Sequence, residues 1–157
     1  MSKTIKLCKG LDIKLQGAAE KKTTVLGLAS TYAVSPLDFE GIVPKMLVKV
    51  GDAGKAGTPL FFNKNSASVV FTSPVSGTVA AVVRGEKRRI LAVEIAADST
   101  IAYEEFGALD VKTATRDQIV ELLLKSGLWT LLVQRPYGII ANPADMPKSI
   151  FVSAFDS

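Results

Sequence analysis

Ile5, Leu7, Leu11, Ile13 and Leu15 share one parity on either side of Gly10. A period of two marks a half-buried strand, and the glycine marks a turn or bulge within it. Gly17 to Lys22 is polar and predicts a loop. Residues 23–34 are apolar and partly β-branched, but Gly27 and Ser30 interrupt them and leave the element unassigned. From 41 to 95 every signal is β. Val43, Leu47, Val48 and Val50 precede the glycine-rich turn "GDAGKAG"; Leu60, Phe61 and Phe62 precede the turn-like "NKNS"; Val69 to Phe71, Val79 to Val83 and "ILAVEI" complete the set. The septet at 41–47 resembles the septet at 77–83, and each then reaches a glycine and an acid, Gly51-Asp52 and Gly85-Glu86. Two short β units related in this way can pack face to face, each burying what the other cannot.

After Asp98 the pattern changes. "STIAYEEFGALDVKT" reads as a connection. "TRDQ" at 115–118 fits a capping box, in which Thr115 and Gln118 satisfy each other's backbone N–H, and Asp117 suits the helix dipole. Ile119, Leu122 and Leu123 predict the apolar face, and Gly127 the left-handed stop. Pro136, Pro143 and Pro147 then break any long element, which predicts a surface stretch around "RPYG". "SIFVSAFDS" at the end is strand-like and reads as the start of something longer.

Composition narrows the chemistry. Among 157 residues there is no histidine and one cysteine, Cys8. That removes Ser-His and Cys-His nucleophiles, histidine metal ligation, internal disulfides and cysteine-held clusters from this chain. Cys8 reads as a buried, inert thiol. Net charge is +4 without interleaved basic and aromatic clusters, so nucleic acid is not the expected partner. No run of about 18 apolar residues spans a membrane. "GDAGKAG" lacks the Lys-Ser/Thr ending of a phosphate loop.

"FTSPVSGTV" at 71–79 resembles the phrase of domains that carry lipoate or biotin. That resemblance implies an acceptor lysine eight residues before the proline. Ser66 falls there, and Lys64 lies two residues away, so the expectation is carrier scaffold with serine at the hairpin tip.

"KGLD" with Gly17, "GDAGKAGTPLF", "VVFTSPVSGTVAAVVRGEKRRILAVEI", "SGLWT", "RPYG" and "SIFVSAFDS" occur in one order over nearly the whole chain. Together they resemble the N-terminal part of the NqrA family, one of the subunits of the bacterial sodium-translocating NADH:quinone oxidoreductase (Na+-NQR). The resemblance implies an α+β fold, mainly β: a biotinyl/lipoyl-like barrel-sandwich hybrid over 1–100, then a connector, a helix and the first strand of a truncated Rossmann-like domain over 101–157. It implies a peripheral subunit on the cytoplasmic face of the inner membrane, within a six-subunit complex, at the quinone-reducing end. Membrane contact would run through partner subunits. FMN, FAD, riboflavin and an iron–sulfur centre would belong to other subunits, with quinone as the substrate of the complex and no cofactor here. The family usually has Phe where Tyr137 stands.

On this reading Trp129, Arg135 and Tyr137 are the quinone-adjacent candidates: aromatics stack on a quinone ring, and a cation or phenol hydrogen-bonds its oxygen. Packing alone would equally explain Trp129. Arg84, Lys87, Arg88 and Arg89 form a basic turn, either a solvated hairpin tip or a docking point for an acidic subunit or anionic headgroups. No catalytic or metal-binding residue is expected. The alternatives are a lipoyl/biotinyl-type carrier domain, or the related barrel-sandwich subunit of another membrane electron-transfer complex that binds iron–sulfur clusters. Cys-x-x-Cys runs beyond Ser157 would favour the last.

Overall fold

A computed structural model of the chain describes residues 4, 6, 8, 16–18 and 20–152. The expected strand pair over 5–15 falls mostly outside these residues. Cys8 is described, and it is exposed rather than buried.

The β-rich part forms two antiparallel sheets. One has the order β1 (Thr31–Val34), β7 (Ile90–Ala97), β6 (Gly77–Arg84) and β3 (Ala53–Gly54). The other has the order β2 (Pro44–Met46), β4 (Pro59–Asn63) and β5 (Ser66–Thr72). β1 resolves the unassigned segment: only its last four residues pair, while Val25, Leu26 and Leu28 stay exposed. The two similar septets contribute to different sheets, through β2 and β6. The sheets share one core. Leu60, Phe61, Val69 and Phe71 meet Val79, Ile90, Val93 and Ile95. Phe71 stacks on Phe61 at 4.7 Å between centroids and takes Phe39 edge-on. Adjacent Leu60 and Phe61 both point inward, which a regular strand forbids; the β4–β5 register slips at that point, and the irregularity turns both inside.

The Ser-Pro phrase is the corner between β5 and β6. The Ser73 hydroxyl donates to the Val75 carbonyl at 2.6 Å, and Pro74 lies outside on the turn. Ser76 is buried, and its hydroxyl accepts from the Ala102 N–H at 2.9 Å. Gly77 is fixed by close approach: a Cβ there would lie 2.0 Å from the Ala96 carbonyl oxygen of β7. The phrase therefore closes the sandwich and latches the connector. The connector is latched a second time where Tyr103 bridges Ala56, with backbone bonds from Ala56 to Ala102 and from Glu104 to Ala56.

The helix α1 spans Arg116–Lys125 with the expected capping box at Thr115 and Gln118. Gly127 takes the expected left-handed conformation, φ 77°. The buried face is rotated from the one expected. Val120, Leu123 and Leu124 pack on the core, with Gly127 one helical step on, where a Cβ would meet Thr72 of β5 at 2.8 Å. Leu122 instead lines the outer side of α1. Two short strands follow, β8 (Val133–Gln134) and β9 (Ile139–Ile140), paired antiparallel. Of the strand-like end, residues 149–152 join no strand among the described residues, and 153–157 lie outside them.

Candidate functional site

The "RPYG" stretch is the tip of the β8–β9 hairpin rather than an irregular loop, closed by a bond from the Gly138 N–H to the Gln134 carbonyl at 2.9 Å. Its foundation is Trp129. Gly127 ends α1 and turns the chain into a short 3-10 segment, Leu128–Leu131. That segment inserts the indole into the β core, where it is 7% exposed. The indole N–H donates to the Ala141 carbonyl at 2.7 Å. Ala141 in turn donates to Leu132, and Leu132 to Trp129, so one side chain fixes both ends of the hairpin. Arg135 and Tyr137 stand exposed at the tip, Tyr137 at 75%. The three candidates are therefore consecutive in construction but do not share a surface. The Trp129 ring is enclosed and its single donor is engaged. Arg135 and Tyr137 keep a guanidinium and a phenol available to a ligand or partner.

The basic turn joins β6 to β7. Arg89 donates its N–H to the Glu86 carbonyl at 3.1 Å, closing a four-residue turn with Lys87 and Arg88 at its centre. Both have positive φ, 52° and 61°. Hairpins favour such a turn because its twist matches the strands, but Asn-Gly normally fills it. Arg84 reaches over to the Arg88 carbonyl at 3.3 Å. All four cations are exposed, and the ion pair among the described residues lies elsewhere, between Arg116 and Asp117.

The β4–β5 hairpin corrects one expectation. Ser66 is the first residue of β5, paired with Asn63, and the two turn residues are Lys64 and Asn65. Lys64 is therefore at the apex, and serine is not. The Asn63 side chain accepts from the N–H groups of Asn65 and Val43, each at 3.2 Å, and stiffens the tip. The flanking asparagines are the signal: they favour a turn centred one residue earlier than simple counting from Pro74 suggests.

Two concave spaces stand out among the described residues. A gap of about 10 Å³ in the core beside Leu60, Val79 and Ile95 is at the lower limit for a single water. An open cleft of about 210 Å³ lies between the connector and the outer side of α1, lined by Phe106, Leu109, Glu121, Leu122 and Lys125. It is smaller than the usual small-molecule site and open to solvent. Among the described residues no cluster of His, Cys, Asp or Glu is arranged to hold a metal, and no helix is long and apolar enough to cross a membrane.

Two family models match the chain. Residues 5–98 match the NqrA N-terminal barrel-sandwich hybrid domain, and residues 114–157 match the NqrA second alpha/beta domain. Among curated proteins, the NqrA subunit of the Na(+)-translocating NADH-quinone reductase of Tolumonas auensis is 40% identical over 156 residues. Those of Pseudomonas aeruginosa and Yersinia pseudotuberculosis are each 36% identical, over 155 and 157 residues. Each alignment covers 98% of this chain and 35% of the relative, so the chain spans about a third of their length.

Proposed function

The chain belongs to the family of the NqrA N-terminal barrel-sandwich hybrid domain, and on that premise we propose that it serves as the N-terminal part of the NqrA subunit in a sodium-translocating NADH:quinone reductase. The observation that carries this reading is the near end-to-end alignment with relatives of that name. The β module over 1–100 is a scaffold, and the segment from 101 onward begins a second domain. The subunit is peripheral, on the cytoplasmic face of the membrane, and meets the bilayer through partner subunits that also hold the flavins and the iron–sulfur centre. The chain contributes positioning and binding, with electron transfer left to those partners.

Within the complex, Arg135 and Tyr137 face the quinone. Trp129 serves them from below by fixing the hairpin that carries both. A guanidinium or phenol that donates to a quinone oxygen stabilises the charge arriving with the electrons, and it does so best on a preorganised support.

The test is to tag the chain at its native gene and purify it from gently solubilised membranes. Co-purification with sodium-stimulated NADH:quinone reductase activity is expected. A tagged chain recovered alone, with that activity intact in cells lacking it, would overturn the proposal.

One observation favours a second reading, a covalent carrier domain: Lys64 stands at the apex of a stiffened hairpin. Intact-mass measurement on chain from cells with active lipoate and biotin ligases decides between them. An increment on Lys64 supports the carrier, and an unmodified mass removes it.

A further inference from the structure

We propose that the turn carrying Arg84, Lys87, Arg88 and Arg89 is a docking contact for a protein surface rich in Asp and Glu carboxylates. That surface belongs to another subunit of the same complex, a step that rests on the functional reading above.

The turn is strained. A left-handed conformation is unfavourable for a non-glycine residue, and the turn places two such residues in succession, Lys87 and Arg88. Asn-Gly would form the same turn without that cost. The sequence therefore gives up stability to keep two cations at the apex, as happens where the side chains have a use outside the fold.

The turn also concentrates charge. The window 84–89 carries four cations and one acid, three of the four net positive charges of the whole chain. No other six-residue window of the chain holds four cations, so this turn is its densest positive point. None of the four cations is within ion-pair distance of a carboxylate among the described residues. Inside the fold, the apex is held by backbone bonds and by the Arg84 contact to Arg88.

A protein suits these cations better than a membrane does. A lipid surface favours basic residues beside exposed apolar or aromatic anchors. On the hairpin itself Val83 and Leu91 are half-buried and Ile90 is buried, so its own strands offer no such anchor. Three of the four cations are arginines, whose planar fork matches carboxylate and phosphate alike, so the missing apolar anchor on the hairpin is what favours a protein.

The experiment uses the full-length subunit within the purified reductase complex and two variants. Lys87→Asn with Arg88→Gly removes strain and two charges. Arg84→Gln with Arg89→Gln removes two charges and leaves the turn residues in place. Both variants are expected to leave the complex at lower salt than wild type, with affinity reduced about tenfold or more. Only the first is expected to raise the Tm of the isolated subunit, by about 2–4 °C. Retention equal to wild type at every salt concentration overturns the docking proposal alone. So does binding to vesicles of anionic phospholipid that both variants lose while retention is unchanged. Failure to find the wild-type protein in the complex overturns the functional reading and this proposal with it.

Discussion

The β module and the segment that follows it bury their apolar residues in different ways. In the module, ten apolar side chains from Ala56 to Ile95 are buried, and two sheets complete one another. Beyond residue 100 the one buried side chain among the described residues is Trp129, and it is buried in the module's core. Helix α1 has no fully buried residue of its own. Leu128, Leu131, Val133, Tyr137, Met146, Ile150, Phe151 and Val152 are exposed. The first region supplies its own hydrophobic stability, and the second borrows it through α1, the indole and two backbone latches. A scaffold and the part it presents thus differ in which residues can be altered without loss of fold.

This contrast can be broken most forcefully at Gly77. Gly77→Ala forces a methyl group against the Ala96 carbonyl and should cost about 3 kcal/mol, the upper end of overpacking, read as a lowered denaturation midpoint of the whole chain. An unchanged midpoint would mean that the sandwich does not close as described. Trp129→Phe keeps most of the buried area but deprives the Ala141 carbonyl of its donor. It should cost about 2 kcal/mol, and hydrogen exchange should speed up at Ile139 and Ile140 more than in β6 and β7. Equal acceleration in both regions would erase the distinction between support and supported part. The smallest effect is expected at Thr115, where Thr115→Ala removes half of the capping box and should cost about 1 kcal/mol, confined to α1 exchange.

Legibility in the sequence follows the same division. The capping box at Thr115 and Gln118, the stop at Gly127 and the β character of 41–95 are all readable, because local chemistry alone decides them. The rotation of the α1 face is not. Ile119, Val120, Leu122, Leu123 and Leu124 offer two overlapping apolar stripes, and the site of contact on β5 selects between them. The Lys64 apex escapes a count from Pro74, because the pairing shifts within the counted stretch of β5: Phe62 pairs with Val70, and the next residue, Asn63, with Ser66. Trp129 is equally consistent, as sequence, with a binding wall and with packing; the engaged N–H and the enclosure of its ring are tertiary facts. The basic turn is visible as charge, while its left-handed backbone is not, since Lys-Arg is an unusual occupant of such a turn.

Arg135 and Tyr137 test the central claim most directly. Arg135→Ala and Tyr137→Phe are made in the full-length subunit within the intact complex, and quinone kinetics are compared with the Tm of the isolated subunit. Both side chains are exposed at the hairpin tip, so stability should fall by less than about 1 kcal/mol. Loss of the charge-assisted Arg135 bond to a quinone oxygen should cost about 1.5–3 kcal/mol, a ten- to hundred-fold fall in apparent quinone affinity, and loss of the neutral Tyr137 bond about 0.5–1.5 kcal/mol. Weakened quinone binding at a nearly unchanged Tm is the predicted result. Normal quinone kinetics with a lowered Tm would contradict it and make the hairpin tip a structural element only.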